Sequence, residues 1–394
     1  MTDDQDLLDR FKTAEGPVSR VTVETAVAAG RRRTARRRAA RAGCGAVLVA
    51  GAALAVPALL PDASDGPAVT SGTGRTSCAA NRLPAPPGLT NVWAVTVDPT
   101  GRYIAGYAVT GNLDIDPVTR KFTGTAPSRP VLWTDGQATT LPAPLRAVEP
   151  TGVNADGVVV AVAGDQKRFD SVLRYVDGVP EKAVLPAGQW EVHPYAKINA
   201  RGDILITVVP AGKPDSEGVV LLWKAGSRTA KRMPLPVGAD GKALTDSGAV
   251  VGDRLGSRGD QLSAYLWDER GNGRKLPTPH GQQGSVNTGR GDWAVGNVWP
   301  SGTVIRWNLS TGETTPIELH APAHAINSHG WIVTDGTLMR DDVTVELSPV
   351  APGEVGLPVD VADNGTVVGS IPAESEDRLT TVSRGPVSWP CGPK

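Results

Sequence analysis

Residues 244–277, LTDSGAVVGDRLGSRGDQLSAYLWDERGNGRKLP, contain the pattern that decides the fold. They read as a turn over residues 246–248, a short apolar strand over residues 249–252, a polar loop and a strand that ends at Trp267. A second turn and a strand closing on residues 276–277 follow. Turn residues alternating with short β-branched and aromatic runs predict a small antiparallel sheet.

Similar units recur along the chain, seven in all from Asn91 onward. Each copy has a turn glycine that follows a polar residue and precedes an apolar or β-branched strand. These glycines, spaced 35 to 56 residues apart, are Gly101, Gly157, Gly202, Gly248, Gly291, Gly330 and Gly365. Such a period is typical of the four-stranded blade of a β-propeller, and 46 glycines and 33 prolines suit many short strands and tight turns. The sequence therefore predicts an all-β, seven-bladed β-propeller.

Two further positions recur inside the unit. A large aromatic residue ends the predicted third strand at Trp133, Tyr175, Trp223, Trp267, Trp307 and Trp389, and Met339 takes its place in the sixth copy. A Leu-Pro pair or its relic follows eight to twelve residues later, at Leu141, Leu185, Leu235, Leu276, Ile317 and Leu347. Because proline cannot donate to a β-ladder, the pair is expected at the end of an outermost strand. The aromatic residue is expected to fill the space between neighbouring blades.

The seventh copy lacks an outermost strand, because the chain ends five residues after Trp389. The missing strand is found at the other end of the repeat region, where Leu83 is followed by Pro84. Residues 77–394 are therefore predicted to form one propeller that residues 77–84 close.

An alignment of this split copy with the first copy brings two cysteines together. It places Trp389 on Trp133, Cys391 on Asp135, Leu83 on Leu141 and Cys78 on Gly136. Cys78 and Cys391 thus fall at the hairpin turn that the split copy lacks, which predicts a disulfide in place of that turn. Two unpaired thiols are the alternative. Such a bond persists in an oxidising exterior.

The repeat resembles the extracellular bacterial repeats of the HAF type and, more loosely, WD-repeat propellers. The matching motifs are an Asn-x-x-Gly turn, a Val-Val-Gly strand and an Ala-aromatic-Leu-Trp strand. They lie at residues 154–157, 199–202 and 327–330, at 250–252 and 367–369, and at 264–267. Ser263 stands where the HAF repeat has its histidine, and the Trp-Asp dipeptide at Trp267 does not recur. The resemblance implies a propeller fold; short motifs of this kind carry no inherited function.

The amino-terminal region predicts a membrane anchor. Residues 1–41 carry ten Lys and Arg against six Asp and Glu, and residues 42–60 contain no charge. A helix of nineteen residues reaches about 28 Å, enough for a bilayer core. The basic flank predicts a cytoplasmic tail, a single-pass transmembrane helix in the lipid bilayer, a flexible spacer over residues 61–76 and a propeller outside the cell. A cleaved signal peptide is the alternative.

The tail itself has one amphipathic feature. Leu7, Leu8 and Phe11 lie on one face of a possible helix after an acidic start. They are either part of a solvated tail or a docking peptide for a cytoplasmic partner. A basic patch beside an apolar run indicates a membrane rather than nucleic acid.

A binding surface is expected where long loops meet. In a propeller, the loops between second and third strands share one face with the connections between blades. Charged, histidine and aromatic residues predicted on that face are Asp114, Asp116, Arg120, Trp190, His193, Tyr195, His280, Trp299, His320, Glu376 and Asp377. Polar and aromatic residues gathered on one rim indicate a recognition surface, although long polar loops are also commonly only solvated.

Signatures of enzymes are weak in this sequence. There is no Gly-x-Ser-x-Gly elbow, no phosphate-binding glycine loop and no cysteine pair at metal-ligand spacing. We therefore expect no cofactor, no metal and a binding or scaffold module for a cell-envelope protein, peptide or glycan. The alternatives are a transmembrane signalling regulator whose propeller senses and whose tail binds a cytoplasmic factor, and a propeller hydrolase or lyase.

Overall fold

The computed structural model describes residues 77–111, 125–165, 168–213, 217–256, 262–279, 282–318, 321–341, 343–374 and 381–392. These residues form 30 strands and no helix. No helix long and apolar enough to span a bilayer occurs in this described part. The predicted tail, membrane helix and spacer, residues 1–76, lie outside it.

The described chain begins with two short strands, β1 (Ser77–Cys78) and β2 (Asn81–Arg82), and then forms blades in chain order. Blade 1 consists of β3 (Val92–Val97), β4 (Tyr103–Val109), β5 (Ser128–Thr134) and β6 (Gln137–Thr140). Blade 2 consists of β7 (Ala147–Val153), β8 (Val159–Gly164), β9 (Ser171–Val176) and β10 (Val179–Lys182). Blade 3 consists of β11 (Trp190–Val192), β12 (Lys197–Ile198), β13 (Ile204–Pro210), β14 (Val219–Trp223) and β15 (Lys231–Arg232).

The remaining four blades repeat the same antiparallel order. Blade 4 consists of β16 (Ala239–Leu244), β17 (Val250–Leu255), β18 (Leu262–Trp267) and β19 (Gly273–Lys275). Blade 5 consists of β20 (Gln283–Arg290), β21 (Trp293–Trp299), β22 (Val304–Asn308) and β23 (Thr314–Ile317). Blade 6 consists of β24 (Ala325–Ile326), β25 (Ile332–Val333), β26 (Thr337–Arg340) and β27 (Val343–Leu347). Blade 7 consists of β28 (Leu357–Val361), β29 (Thr366–Glu374), β30 (Thr381–Pro390) and β2.

The ring is closed by the start of the described chain. Strand β2 pairs antiparallel with β30 and supplies the outermost strand of blade 7, and β1 pairs parallel with β27 of blade 6. Cys78 and Cys391 form the predicted disulfide, with Cα atoms 5.4 Å apart. In blade 1 the same place is occupied by Asp135 and Gly136, both with positive φ, as a two-residue hairpin turn requires. The protein is a seven-bladed β-propeller.

The propeller has two unlike faces. We call the side with the turns between innermost and second strands, and between third and outermost strands, the turn face. The opposite side is the loop face. The backbone N–H of Cys391 donates to the carbonyl of Gly365 in the first of these turns, so the disulfide lies on the turn face.

The asparagines of two of the three Asn-x-x-Gly turns, Asn199 and Asn327, join neighbouring blades. Oδ1 of Asn199 accepts the N–H of Asp203 within its own turn, and its Nδ2 donates to the Thr245 carbonyl of blade 4. Asn327 does the same, with Nδ2 on the Ala362 carbonyl of blade 7. The turn motif is thus also an inter-blade contact, which explains why an amide side chain suits it.

The aromatic and Leu-Pro positions contact each other across blades. In four blades the aromatic side chain donates to a carbonyl of the preceding blade: Trp133 to Pro84, Tyr175 to Pro142, Trp307 to Pro277 and Trp389 to Ser348. All four aromatic side chains are fully buried, as expected for residues that fill the space between blades. Burying an indole requires a partner for its N–H, and the carbonyl of the outermost strand supplies it.

The Leu-Pro pair does not lie at the same distance from the end of the outermost strand in every blade. In blades 1 and 4, the residue directly after the outermost strand donates its backbone N–H to the third strand, and that residue is Leu141 or Leu276. In blades 2 and 3 the residue that makes this hydrogen bond is Ala183 or Met233. The Leu-Pro pairs at residues 185–186 and 235–236 therefore lie two residues further along. In blade 2 the reason is that the chain first bridges to blade 3, where Val184 pairs with Thr229.

The Val-Val-Gly pattern reflects a bulge in the innermost strand. Pairing of β16 with β17 shifts register between Gly241 and Ala243, and blades 1, 2, 5 and 7 show the same shift. A Cβ on Gly252 would lie 2.0 Å from the carbonyl oxygen of Asp240. The bulge therefore requires glycine opposite it, and Gly369 meets Leu357 in the same way.

Candidate functional site

Blade 3 departs from the other blades on the loop face. Its innermost strand is interrupted between β11 and β12, and the backbone of His193 bonds to Thr207 of the second strand. Tyr195 lies on this interruption and is 48% exposed. Tyr195 and Trp299 are the two aromatic residues of the described chain with strongly exposed side chains, and both lie on the loop face.

A charged cluster surrounds Tyr195. The ammonium of Lys242, in blade 4, lies 5.4 Å from the centre of the Tyr195 ring and 2.6 Å from Oδ2 of Asp240. Burial alone would lower the pKa of Lys242, but the hydrogen bond and charge of Asp240, with smaller contributions from Asp253 and Tyr195, raise it above its ordinary value. Oδ1 of Asp240 and Nδ1 of His193 are buried and lack a hydrogen-bond partner among the described residues.

Asp253 connects this cluster to blade 5. Its carboxylate accepts from the Ser285 hydroxyl and from the Val286 N–H, both at 2.7 Å. Burial raises the pKa of Asp253 to about 6, although these hydrogen bonds and the charge of Lys242 act in the opposite direction. The pKa of this carboxyl thus lies well above its ordinary value, beside a lysine whose pKa is also raised.

An apolar strip runs beside the cluster across blades 4 and 5. Val237 is 72% exposed and precedes Gly238, whose carbonyl accepts from Leu255. Leu255 pairs with Leu262, and Leu262 lines a shallow depression of about 370 Å³ together with Trp299. Trp299 precedes a cis proline. We call Val237, Leu255, Leu262 and Trp299 the apolar strip.

A cavity of about 180 Å³ lies on the propeller axis, and all seven innermost strands line it. Arg290 of blade 5 reaches across it. Its guanidinium donates to the carbonyls of Val361 and Val97, at 2.7 and 3.1 Å, and pairs with Asp360 at 3.1 Å. Asp360 in turn accepts from the Thr96 hydroxyl at 2.8 Å. Arg290 thereby joins blade 5 to blades 7 and 1 across the axis.

Lys197 also enters this cavity, from blade 3. Burial lowers the pKa of Lys197, whereas the charge of Asp360 raises it and that of Arg290 lowers it further. Lys197 lines the cavity together with Asp360 of blade 7 and Arg290 of blade 5.

The structure describes four of the predicted surface residues. Tyr195 and Trp299 are exposed on the loop face, and His193 packs edge-on against Tyr195 with ring centres 5.8 Å apart. Trp190 is partly buried, and its indole donates to the Pro186 carbonyl, so it supports the fold of blade 3. The other predicted residues, together with Leu7, Leu8 and Phe11 of the tail, lie outside the described residues: Asp114, Asp116, Arg120, His280, His320, Glu376 and Asp377.

Sequence reasoning missed the residues of the axial cavity and most of the charged cluster. Lys197 and Lys242 belong to no recurring motif, although the structure places both on innermost strands. Arg290 belongs to an Arg-Gly-Asp tripeptide at a turn, where glycine and aspartate are common for reasons of backbone geometry alone. A register count along each innermost strand could have found them, because these strands line the axis.

The histidines of blade 6 serve separate contacts. His324 contacts Asp335, and the ring of His329 packs against Trp331 at 5.2 Å. His320, which the sequence places near them, lies outside the described residues. In the described part of the chain, no group of three His, Cys, Asp or Glu side chains could hold a metal ion.

Comparison with known proteins supports the fold. No known family matches the sequence, and no curated protein does. The β-propeller domain of the Trilobed protease from Pyrococcus furiosus superposes with a TM-score of 0.50 at 12% identity, over 78% of this chain and 97% of that one. That domain is described as having an open velcro topology, whereas β2 and the disulfide close the ring here.

Two further structures are similar at lower scores. A putative TolB from Agrobacterium tumefaciens matches with a TM-score of 0.39 at 12% identity, over 73% of this chain and 91% of that one. The Cps50 (Swd1) β-propeller domain from Myceliophteria thermophila matches with a TM-score of 0.46 at 12% identity, over 79% and 99%. These likenesses concern the propeller fold alone.

Proposed function

We propose that this chain is a membrane-anchored, extracytoplasmic propeller that binds a protein partner on the loop face of blades 3–5. One observation carries the proposal: the apolar strip adjoins a charged cluster that contains unpaired buried polar atoms. Exposed apolar surface rimmed by polar groups is typical of protein interaction sites.

A protein fits this surface better than a glycan. Val237 and Leu255 are exposed aliphatic side chains, which offer contact area to apolar side chains and no hydrogen bonds to sugar hydroxyls. Trp299 and Tyr195 are of the residue types enriched at the centres of protein interfaces. On the turn face, by contrast, Asn199 and Asn327 use their amide groups for contacts between blades.

Two features support the location. Residues 42–60 are long and apolar enough for a membrane helix, with arginines before them. The Cys78–Cys391 disulfide suits an oxidising compartment. Together they favour a propeller displayed outside the membrane.

Site-specific photocrosslinking in cells tests the binding surface. A photoreactive phenylalanine analogue placed at Trp299 or Leu255 is expected to give a discrete adduct with one protein. Val343 and Val179, exposed on outermost strands of blades 6 and 2, are the matched controls and are expected to give none. The adduct at Leu255 should disappear when Trp299→Ser is added, because the substitution removes the largest exposed side chain of the strip.

Equal adducts from the loop face and from the controls would overturn the proposed surface, as would their absence at both loop-face positions. Location is tested separately with an amine reagent that does not cross membranes. In intact cells it should label Lys231 of the exposed outermost strand of blade 3. Labelling only after lysis would contradict an extracytoplasmic propeller, and a mature chain lacking residues 1–55 would indicate a cleaved signal peptide.

A further inference from the structure

The second strands of blades 5 and 6 are preceded or begun by tryptophan, unlike those of the other blades. In every blade this residue comes directly before the second-strand position that pairs with the aromatic residue of the third strand or, in blade 6, with Met339. Blades 5 and 6 have Trp293 and Trp331 there, whereas the other blades have Tyr103, Val158, Asp203, Ala249 and Thr366. Valine, alanine and threonine satisfy the repeat at this position, so two neighbouring tryptophans exceed what the fold requires.

The two tryptophans line an open depression on the turn face. Its volume is about 760 Å³, which is within the range typical of ligand sites. Trp293 is half-buried and Trp331 is buried, so Trp293 offers the larger accessible area. The indole N–H of Trp293 makes no hydrogen bond to any residue that the structure describes. Turn residues of blades 6 and 7 complete the lining: Ser328, His329, Asp341, Asp363 and Asn364.

Polar groups in this lining have hydrogen-bonding capacity to spare. Oδ1 of Asp341 accepts from the indole of Trp331 at 3.1 Å. Oδ1 of Asp363 accepts from the backbone N–H of Ser328 at 2.9 Å. The second oxygen of each carboxylate, the Ser328 hydroxyl and the exposed imidazole of His329 have no hydrogen-bond partner among the described residues. The depression therefore offers a ligand both acceptors and groups that can donate.

The charges around the depression disfavour an ionic ligand. The guanidinium of Arg306 lies 5.1 Å from the centre of the Trp293 ring, and that of Arg340 lies 5.6 Å from the centre of the Trp331 ring. Both indoles thus already have a cation beside them, so a cationic ligand would be repelled. The two carboxylates of the lining repel an anion. Since these two cations and two carboxylates balance, the set favours a neutral ligand.

We propose that this depression binds a neutral glycan. The C–H groups on the face of a pyranose ring carry partial positive charge and suit the electron-rich face of an indole. The hydroxyls at the rim of the sugar both donate and accept, as the polar groups of the lining require. A β-linked, gluco-configured ring fits best, because its equatorial hydroxyls leave the C–H faces flat. The site lies on the face opposite the apolar strip and does not depend on the proposed partner surface.

Calorimetric titration of the purified full chain, in a detergent without a sugar headgroup, tests this site. The neutral probes are cellotetraose and chitotetraose with all amines acetylated; the charged probes are tetragalacturonate and choline. We expect saturable binding of one or both neutral tetrasaccharides and none of the charged probes. Preference for one neutral probe would identify the acetamido group or the free hydroxyl as recognised, and equal binding would identify the shared ring. Binding of neither, or equal binding of a charged probe, would refute the site.

Trp293→Val is the decisive variant, because valine is the residue that blade 2 has at this position. It is expected to weaken binding of the tetrasaccharide by about tenfold, the loss of one aromatic contact. Tyr103→Val changes the same position in blade 1 and is expected to bind as the wild type does. His329→Ala alters an exposed side chain and is expected to weaken binding by about threefold. Thermal unfolding shows which variants are folded. Normal binding by a folded Trp293→Val, or by His329→Ala, would refute the site.

Fluorine NMR locates the bound sugar. Replacement of the ten tryptophans by 5-fluorotryptophan gives each indole a signal. The signal of Trp293 is assigned by its absence from Trp293→Val, and that of Trp299 on the loop face by its absence from Trp299→Ser. The tetrasaccharide should shift the Trp293 signal saturably and leave the Trp299 signal in place. A shift of Trp299 without one of Trp293 would place the sugar on the loop face and refute the proposal.

Discussion

The turn face and the loop face of this propeller use their polar groups differently. On the turn face, Asn199 and Asn327 satisfy their own turns and the next blade at the same time. On the loop face, Asp240 and His193 retain buried polar atoms without partners among the described residues, and Trp299 is exposed. The turn face also has one unpartnered buried amide among the described residues, that of Asn154, but only the loop face combines such atoms with strongly exposed tyrosine and tryptophan side chains.

The same contrast applies to buried carboxyl groups. Burial raises the pKa of Glu149, near the loop face of blade 2, to about 7, and that of Asp253 to about 6. A fold under selection only for stability would place few such groups, because ionising them costs free energy. Glu149 and Asp253 thus show that the loop face contains carboxyl groups whose ionisation is unfavourable in the folded state. The contacts between blades on the turn face help to offset that cost in stability.

The largest expected effect comes from removing the Cys78–Cys391 disulfide, which closes the ring on the turn face. Cys78→Ser with Cys391→Ser removes a crosslink between residues 313 apart in sequence. In the chain-entropy model this lowers the free energy of unfolding by at most about 6 kcal/mol. Chemical unfolding of the full chain measures the loss, and reduction of the wild type should reproduce it. Cys44→Ser is the control, and an equal loss there would show that the closure is not the cause.

The second-largest expected effect is a pH dependence of stability that comes from the buried carboxyl groups near the loop face. Since the folded pKa of Glu149 is above its ordinary value of 4.5, the folded state holds this proton more tightly than the unfolded chain. The stability contributed by Glu149 is therefore complete below pH 4.5 and lost as the pH rises to about 7, by roughly 3 kcal/mol at most.

Glu149→Gln removes this dependence, so the variant should gain stability relative to the wild type as the pH rises through that window. Asp253→Asn should do the same in the lower window, from 3.8 to about 6. Denaturant unfolding at a series of pH values measures both differences. A constant difference across the whole range would contradict the assignment of these two groups.

The smallest effect compares two copies of one turn. Nδ2 of Asn199 donates to the Thr245 carbonyl, whereas Nδ2 of Asn154 is buried and has no partner among the described residues. Both asparagines use Oδ1 inside their turn, so Asn→Asp keeps the turn in each case. We expect Asn199→Asp to cost about 1 kcal/mol more than Asn154→Asp, the value of one hydrogen bond. Equal costs in thermal unfolding would mean that the contact between blades contributes nothing.

Much of the fold could be predicted because its signals are local or lie between neighbouring blades. Positive φ at Gly101 and Gly365 follows from tight turns, and glycine at Gly252 follows from the bulge opposite it. The pairing of Cys78 with Cys391 follows from aligning one repeat with another, which needs no knowledge of side-chain positions. Blades 2 and 3 escaped this reasoning in part, because the bridge from Val184 to Thr229 extends the chain past the expected register.

The sequence by itself determined the number of blades, the strand order and the covalent closure, because each blade repeats the same short-range pattern. Only the tertiary structure decided which side chains meet on the axis. Arg290 bonds to Val97, 193 residues away, and to Asp360, 70 residues away, while Lys197 of blade 3 lines the same cavity. Those encounters depend on the curvature of the complete ring, which brings seven innermost strands to one axis, and no single repeat contains that information.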